Sequence, residues 1–509
     1  MVIIFPVIIF LSICCSVVQS SPLDVTVVVV GSYQYKTAVP AIEAAAELVN
    51  RKYFPYLSMN VSVLLYPQFY DCDAYTDNIA NLAARNYYEE APSSPGARKI
   101  YIGPTCFSEA LNIATLMNEL DVFPSVGTDS RISDKKAFPT TVTCSATHHT
   151  VLVRGFRALL AAYNWTTVFL VCDDRPDVSY YRAICRNFQA PTALGVGVRV
   201  NSVTFNSASP TMTFDGLLSR AKAASRVIFL SMHMPLTRDF VVHAKRSNMT
   251  TADYVYFCSW PSISPGFPEM RWQTDDGYDT DAWEAFRQLF ILTFDNNRTL
   301  PQEDDLFARR RSASIYNYTY GQAERMSAPV VSGYEATLVI AQVLNESLSE
   351  GGSGLSDARA LTRRFFNRTF ATPTGSVYVN ENGDRFPELV VLQLSLKTEY
   401  FETVFKYQAA TLGASVVNDS IIRWISGKPP SGKPGKCGFD EKSCSTRGSL
   451  LDIWTAVGVT IVLLIGAEII RRILAHDMTA KDRWWHVIEH ELVAPMQPSY
   501  RATYHLQLL

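Results

Sequence analysis

Short apolar runs alternate with amphipathic stretches along the first half of the chain. Residues 25–30 are apolar and mostly β-branched, and residues 40–49 follow with the spacing of a helix. A continuous apolar run predicts a strand covered on both faces, as in a parallel sheet. Because strands and helices keep alternating, the pattern predicts βαβ units. The next predicted elements are strands over 61–65 and 99–103 and a helix over 78–88.

The same alternation begins again after residue 148 and predicts a second α/β half. A helix over 149–163, which starts at His148-His149, precedes a buried strand over 167–171. The predicted fold class is therefore α/β, with two halves that are each a mostly parallel sheet with helices on both faces. Further predicted elements are a helix over 180–189 and strands over 198–205, 226–231 and 254–258.

The pattern changes in the last third of the chain. Residues 332–348 have helical spacing, and residues 377–384 read as a strand that an Asn-Gly turn returns through 389–394 as a hairpin. Residues 262–328 are rich in charge, proline and aromatics. Within them, a solvated loop is favoured for Arg309-Arg310-Arg311 over a peptide-binding patch or a protease site. The Gly-rich stretch after residue 350 lacks the Lys-Ser/Thr of a phosphate-binding loop.

An apolar stretch at the start of the chain predicts a signal peptide over residues 1–20. Its end carries the small residues Val18 and Ser20, which suit a cleavage site. A buried first strand and an uncleaved anchor are the alternatives. The prediction places the N-terminus outside the cell.

A second apolar stretch predicts one transmembrane helix over residues 453–474. It is followed by Arg471-Arg472, which reads as a stop-transfer signal. A core helix of a soluble protein is the alternative. Residues 426–452, with several prolines and glycines, are predicted to be a stiff juxtamembrane stalk, and residues 475–509 a short cytoplasmic tail.

Composition excludes several classes of protein. The chain of 509 residues is 48% hydrophobic and 18% charged, so it can bury enough apolar surface to fold. Lys plus Arg is 46 against 48 for Asp plus Glu, which leaves no charge excess for binding nucleic acid. A mean hydropathy of +0.03 with only two apolar stretches excludes a polytopic transporter.

Sequons and cysteines both indicate an oxidising, extracellular compartment. Every sequon and every cysteine outside the signal peptide precedes the predicted span, and the cysteine count there is even. The eight candidate glycosylation sites are Asn60, Asn164, Asn248, Asn297, Asn317, Asn345, Asn367 and Asn418. The eight cysteines are Cys72, Cys106, Cys144, Cys172, Cys185, Cys258, Cys437 and Cys444.

Ligands of parallel α/β sheets usually bind beyond the carboxyl ends of the strands. The residues at those ends are therefore candidate ligand-binding residues of a cleft between the two halves. They are Ser32, Tyr33, Thr105, Asp173, Asp174, Ser231, His233 and Trp260.

Several short motifs follow one another along the chain: Cys72 followed by Gly103-Pro-Thr-Cys106, then Ala162-Tyr-Asn-Trp165, Asn367-Arg-Thr-Phe370, residues 374–385, and Pro434-Gly-Lys-Cys437-Gly-Phe-Asp440 closed by Cys444. In this order they resemble the extracellular ligand-binding region of receptor guanylyl cyclases, including natriuretic-peptide receptors. The resemblance covers roughly residues 24 to 495.

The resemblance implies two lobes of the type I periplasmic-binding-protein kind. Such a receptor would bind an extracellular ligand and form a dimer. It assigns residues 24–146 and 285–370 to the first lobe and 147–284 and 371–425 to the second, within an extracellular region over 21–425. The expected ligand is a peptide or a small molecule. The dimer is expected to be a homodimer or a heterodimer with a related receptor.

The resemblance also implies disulfides between Cys72 and Cys106 and between Cys437 and Cys444. A third pair, Cys172–Cys185, would join a strand end to the following helix through a short loop. Cys144 and Cys258 have no assigned partner. The resemblance further implies a chloride near Thr105 and Cys106, but Leu65 stands where a hydroxyl is needed, so we expect no cofactor.

We therefore expect a single-pass cell-surface receptor without a catalytic domain, acting as a decoy, a clearance receptor or a dimerising partner. The alternative is the N-terminal part of a receptor guanylyl cyclase whose complete form makes cGMP from GTP, because residues 483–495 resemble the lead-in to the kinase-like domain. A soluble or anchored α/β enzyme is disfavoured, since no nucleophile elbow or dinucleotide fingerprint occurs. His486-Val-Ile-Glu-His490 matches a zinc-hydrolase pattern, but its context predicts no metal site.

Overall fold

A computed structural model of the chain forms two units, residues 1–440 and 441–509. The structure describes residues 22–66, 76–90, 97–103, 107–127, 130–175, 179–261, 270–295, 297–321, 324–352, 354–408, 413–416, 422–435, 438–439 and 450–481.

The strands, in chain order, are β1 (Leu23–Ser32), β2 (Leu57–Tyr66), β3 (Arg98–Ile102), β4 (Pro124–Val126), β5 (Val142–Thr143), β6 (Thr167–Asp173), β7 (Arg199–Phe205), β8 (Val227–Ser231), β9 (Val255–Ser259), β10 (Leu289–Phe294), β11 (Arg368–Thr372), β12 (Gly375–Val379), β13 (Leu389–Leu394), β14 (Phe401–Gln408) and β15 (Gly413–Val416). The helices are α1 (Val39–Tyr53), α2 (Thr76–Glu89), α3 (Phe107–Glu119), α4 (His149–Ala162), α5 (Ser179–Gln189), α6 (Phe214–Ala224), α7 (Met234–Arg246), α8 (Asp279–Phe286), α9 (Gln302–Ile315), α10 (Ala328–Ser349), α11 (Ala358–Arg363) and α12 (Leu450–Lys481).

The first lobe is a five-stranded parallel sheet in the order β2-β1-β3-β4-β5, with α1, α2, α3, α9, α10 and α11 around it. Its central strand β1 is apolar on both faces, so Val27 and Val29 contribute to one core and Val28 and Val30 to the other. Gly333 of α10 allows that helix to pack closely on α1, because a Cβ at Gly333 would lie 3.0 Å from the Ile42 side chain.

The second lobe is an eight-stranded sheet in the order β15-β14-β13-β10-β9-β8-β6-β7. Strands β6 to β10 run parallel, and β13 to β15 add an antiparallel edge. Aromatic residues fill its core. Phe156 of α4 stacks on Phe188 at 5.4 Å between ring centroids, and its edge meets Phe229 and Phe257. The two-lobed α/β fold predicted from the sequence is confirmed.

The chain crosses between the lobes later than we predicted. We assigned residues 285–370 to the first lobe and 371–425 to the second. However, β10 pairs with β9 and β13 in the second sheet, where all six of its residues are buried. The strands β11 and β12 instead pack on the first lobe, where Phe370 and Val377 join its core.

Two local predictions were wrong. The predicted hairpin between 377–384 and 389–394 does not form, because β12 pairs with β11 while β13 pairs with β10 and β14. The segment with Arg309-Arg310-Arg311 is not a loop but part of α9. There Arg309 pairs with Asp305 one turn earlier at 2.6 Å, and Arg311 pairs with Glu43 of α1 at 2.7 Å.

The described residues of the segment 422–439 pack against the second lobe and do not form a free stalk. The indole Nε1 of Trp165 donates to the carbonyl of Pro430 at 2.8 Å, and the hydroxyl of Thr167 donates to the carbonyl of Gly432 at 2.8 Å. The guanidinium of Arg226 donates to the carbonyl of Phe439 and lies over its ring. The stalk predicted over 426–452 is therefore docked on the lobe in its first part.

The described part of the second unit is the single helix α12. Glu468 pairs with Arg471 at 2.8 Å and with Arg472 at 3.2 Å. Among the residues that the structure describes, no helix combines the length and apolarity needed to cross a membrane, so the structure does not show the span predicted over 453–474. The predicted signal peptide and most of the predicted tail lie outside the described residues.

The expected Cys172–Cys185 disulfide is present. It joins the end of β6 to α5 with the two Cα atoms 6.0 Å apart. Cys144 and Cys258 are free and buried. The other expected pairs involve Cys72, Cys106, Cys437 and Cys444, which lie outside the described residues, as does the chloride turn at Thr105.

The docked segment generates a test of packing. A Cβ at Gly432 would lie 2.9 Å from the Trp165 Cα and 2.6 Å from its Cδ1. Gly432→Ala should therefore lower the free energy of unfolding by about 1–3 kcal/mol, as overpacking does. The measurement is the unfolding temperature of the purified chain, followed by tryptophan fluorescence.

The matched control is Gly216→Ala in α6, where an added Cβ has nothing within 4 Å. Alanine is the better helix former, so this change should leave the unfolding temperature unchanged or raise it slightly. Equal unfolding temperatures for the two variants would contradict the docking of Gly432 on Trp165.

Candidate functional site

In the part of the chain that the structure describes, three segments connect the lobes. They are residues 144–148 between β5 and α4, 295–301 between β10 and α9, and 380–388 between β12 and β13. We call them the first, second and third crossings. Core residues of both lobes lie in or beside these segments: Cys144, Leu300 and Val379 belong to the first lobe, and Val151, Phe294 and Phe386 to the second.

All three crossings lie at the carboxyl edges of the parallel strands. The first crossing leaves β5, which runs parallel to β4, and the end of β10 pairs with the start of β13. His149 at the start of α4 contacts the ring of Tyr180, whose hydroxyl bonds Ser259 at the end of β9. The edges that the crossings bring together are therefore carboxyl edges, where α/β sheets usually bind ligands.

The structure places the described members of the predicted ligand-binding set at or beside these edges. Ser32 ends β1 and Tyr33 follows it in the first lobe. In the second lobe, Asp173 ends β6 and Asp174 follows, Ser231 ends β8, and Trp260 follows β9. His233 is the N-cap of α7, and Thr105 lies outside the described residues.

Three of these side chains hold the protein's own backbone. Asp173 is buried, and its carboxylate accepts hydrogen bonds from the Ser207 N–H at 3.0 Å and the Ser207 hydroxyl at 2.7 Å. The Ser231 hydroxyl donates to the carbonyl of Tyr181 at 2.7 Å. His233 caps α7 by accepting from the Leu236 N–H. These interactions give Asp173, Ser231 and His233 structural roles.

Tyr33, Asp174 and Trp260 keep accessible surface at the two edges. The Lys36 ammonium lies 4.5 Å from the Tyr33 ring centroid, and Asp174 pairs with Arg182 of α5 at 3.2 Å. These three residues therefore remain the candidates for ligand contact, and that contact stays a prediction.

A small cavity lies at the carboxyl edge of the first sheet. Its volume is about 40 Å³, and Tyr35, Ser125 and Cys144 are among the residues that line it. Burial raises the pKa of the Cys144 thiol, so the thiol stays protonated at neutral pH. A cavity of this size holds water molecules rather than a peptide or an organic ligand.

A buried carboxylate ties two of the crossings to α10. Glu335 of α10 is fully buried and pairs with Arg298 of the second crossing at 2.8 Å and with Arg385 of the third crossing. Arg385 also donates to the carbonyl of Cys144 in the first crossing at 3.1 Å. One carboxylate and one guanidinium thus link all three crossings.

The electrostatics of this cluster favour the ionised carboxylate. Burial pushes the pKa of Glu335 upward, but the charges of Arg385 and Arg298 and a hydrogen bond from Thr374 outweigh it, so the pKa lies below its ordinary value. The stability that this pairing contributes is therefore present above the ordinary carboxyl pKa and is lost only as the pH falls through the lowered value.

A second buried carboxylate ties the third crossing to the first lobe. Asp384 accepts hydrogen bonds from the hydroxyls of Ser133 at 2.5 Å and Thr143 at 2.9 Å. The backbone supports this contact, because the Thr143 N–H donates to the Gly383 carbonyl and the Arg385 N–H donates to the Thr143 carbonyl. Gly383 has φ +70°, and a Cβ there would lie 2.4 Å from Phe366.

The sequence reasoning missed the role of these residues. It noted the Asn-Gly turn and the segment 374–385, but it read the turn as a hairpin and assigned no role to Asp384 or Arg385. It predicted no role for Glu335, although a single acidic residue within an apolar helix indicates a buried ion pair. Among the described residues, no group of acidic, histidine or cysteine side chains is arranged to hold a metal.

The two sheets and the crossings at their carboxyl edges define a two-lobed α/β ligand-binding region of the periplasmic-binding-protein kind. Residues 37–397, more than half of the chain, match the family described as "Receptor family ligand binding region". The chain belongs to this family.

Curated relatives are similar to parts of the chain. The receptor-type guanylate cyclase gcy-28 of Caenorhabditis elegans is 26% identical over 50% of this chain and 20% of its own length. Atrial natriuretic peptide receptor 3 of Homo sapiens is 22% identical over 63% of this chain and 59% of its own length. Atrial natriuretic peptide receptor 2 of Homo sapiens is 23% identical over 79% and 40%. The chain thus spans between a fifth and three fifths of the length of these relatives.

The Glu335 cluster generates a second test. Glu335→Gln removes the charge that balances Arg385, whose side chain is 4% exposed. Breaking one partner of a buried pair should lower the free energy of unfolding by about 3–5 kcal/mol. The measurement is denaturant unfolding of the purified chain at neutral pH.

Glu346→Gln on the same helix is the matched control. Glu346 pairs with Arg368, and both side chains are more than a third exposed, at 41% and 37%. Screening limits such a pair to less than about 1 kcal/mol. Equal losses for the two variants would contradict the special role of the buried pair.

Proposed function

We propose that this chain is the extracellular ligand-binding region of a cell-surface receptor whose two lobes change their relative arrangement when ligand binds. One observation carries the proposal: two α/β lobes are joined at their carboxyl edges by three adjacent crossings. Crossings placed side by side let two rigid bodies rotate with changes at few residues, which is the geometry of hinge closure.

The ligand would lie between the carboxyl edges and touch both lobes. Tyr33 of the first lobe and Asp174 and Trp260 of the second are the proposed contacts. The ligand can shift the arrangement only by binding one geometry better than the other. A peptide or a small molecule fits this role, and two of the relatives are named as natriuretic peptide receptors.

The proposal includes a membrane anchor and a partner. The chain would enter the secretory pathway through residues 1–20 and would be held in the plasma membrane by residues 453–474, with the N-terminus outside. The partner would be a second copy or a related receptor, since a dimer converts a change between lobes into a change between chains.

For catalysis, we propose that the chain itself has none and acts as a decoy, a clearance receptor or a dimerising partner. The support is that the matched family is a ligand-binding region. A second function, the regulatory N-terminal part of a guanylyl cyclase that makes cGMP from GTP, is favoured by the relative named as a receptor-type guanylate cyclase.

The extracellular location generates a prediction about glycans. Asn164, Asn248, Asn317 and Asn367 are exposed at turns with φ near +50°, where an enzyme can reach them. We expect these four to carry N-glycans. Asn345 should carry none, because it lies within α10 and the hydroxyl of Ser347, two residues on, is fully buried and bonded to the Val343 carbonyl.

The measurement is peptide mass spectrometry after enzymatic deglycosylation in heavy-oxygen water, whose oxygen enters the aspartate carboxyl formed at each released site, on chain isolated from surface-labelled intact cells. Glycans at the exposed sites with none at Asn345 support the proposal. A chain that an impermeant label reaches only after permeabilisation, with no glycans, would contradict it.

The catalytic question has a separate test. Membranes from cells that express residues 1–509 should produce no more cGMP from GTP than membranes from untransfected cells. A full-length receptor guanylyl cyclase expressed alongside provides the positive control. Formation of cGMP that depends on this chain would overturn the proposal of a non-catalytic chain.

A further inference from the structure

A buried histidine lies where the first and third crossings touch. His148 is the N-cap residue of α4 and is 3% exposed. Its Nε2 lies 3.8 Å from the Oδ2 of Asp384 in the third crossing. Its Nδ1 is buried without a hydrogen-bond partner among the described residues. The ring packs against Phe386, with 5.3 Å between ring centroids.

The contact between His148 and Asp384 joins the two lobes. Asp384 is held by Ser133 and Thr143, which belong to the first lobe. His148 begins α4 of the second lobe, and Phe386 belongs to the second core. Any rotation of the lobes about the crossings therefore changes the surroundings of the His148 ring.

We propose that His148 is a proton-sensitive latch of the hinge. The neutral ring is packed in the arrangement described here, and a proton on the ring favours an arrangement in which water reaches it. Mild acid would therefore loosen the crossings and change the geometry of the cleft. The inference rests on the proposed receptor function only in that the lobes must be able to move.

The charged groups that face the ring come from three directions. Asp384 of the third crossing attracts a proton, whereas Arg154 of α4 and Lys135, which follows the turn Ser130–Ser133, repel it. His149 is the next residue in the chain. Burial lowers the pKa of His148 below its ordinary value, Asp384 opposes this lowering, and Arg154 and Lys135 add to it.

The sign of the effect follows from this direction. A histidine with a lowered pKa in the packed arrangement binds its proton better wherever the ring meets water. The packed arrangement is therefore favoured above about pH 6.5, the ordinary histidine pKa, and is disfavoured progressively below it. One linked proton changes the ratio of the two arrangements by at most about tenfold per pH unit.

Two neighbouring groups, Lys135 and His149, also have shifted pKa values. Burial lowers the pKa of Lys135 to about 8, so the lysine stays charged between about pH 5.5 and 7. Burial also lowers the pKa of His149, and the neighbouring His148 adds to this lowering. A separate His149→Gln variant therefore measures the share of the second histidine.

The experiment is hydrogen–deuterium exchange of the full chain at about pH 7 and about pH 5.5, with rates corrected for intrinsic exchange. Peptides over 141–150 and 380–388 report on the crossings, and β8 is the internal reference. On acidification, protection of the two crossing peptides should fall by up to about tenfold relative to β8. His148→Gln should abolish that fall.

The control is His243→Gln, because His243 is an exposed histidine of the same lobe. This variant should keep the full response to acid. The same response in His148→Gln as in the unsubstituted chain, or no response in the unsubstituted chain, would overturn the latch. Neither result would affect the glycan and surface tests of the receptor proposal.

A second variant keeps the test decisive if His148→Gln fails to fold. Asp384→Asn removes the charge that favours a proton on His148, so the acid response should move to lower pH. A purely structural role for Asp384 would instead loosen the crossings at every pH without moving the midpoint. An unmoved midpoint would therefore overturn the proposal.

Discussion

The burial of the Glu335 carboxylate is the constraint on which the arrangement of the lobes depends. An ionised carboxylate in an apolar helix must be paired, since an unpaired buried charge costs several kcal/mol. Its partners, Arg298 and Arg385, come from two different crossings, and Arg385 also bonds the carbonyl of Cys144 in the remaining one. Satisfying one charge therefore fixes three distant chain segments at one place.

This constraint explains how two separate cores behave as one molecule. Each lobe keeps its own core. Because the crossings are short, a few residues set the position of one lobe relative to the other. The docked segment 422–439 follows the second lobe through Trp165, Thr167 and Arg226. In the proposed motion, a movement of the second lobe would therefore be carried to the last described residues of the first unit.

Much of the fold could be predicted from the sequence because buried parallel strands are continuous apolar runs. The strand β6 was predicted in this way, and the helix α10 was predicted from its helical spacing, each to within a few residues. The position of β10 could not, since its pairing with β9 and β13 is a long-range choice that no local pattern carries. The same limit explains the wrong hairpin partner of β12.

The positions of the candidate site residues could be predicted from the sequence, but their contacts could not. Placement of Asp173, Ser231 and Trp260 at strand ends follows from strand boundaries and was predictable. The inward turn of Asp173 to Ser207 and the link from Arg385 to Glu335 depend on residues that are far apart in the chain. Only the folded structure brings them together, so sequence patterns could not assign their roles.

The central claim is that the two lobes move about the crossings. Spin labels introduced as an unnatural amino acid at Phe54 and Val196, which are 79% and 91% exposed in the first and second lobes, would report the interlobe distance in the full chain. The control pair, Phe54 and Tyr88, lies within the first lobe. The account predicts a broader distance distribution between the lobes than within one lobe. An interlobe distribution as narrow as the control would contradict it.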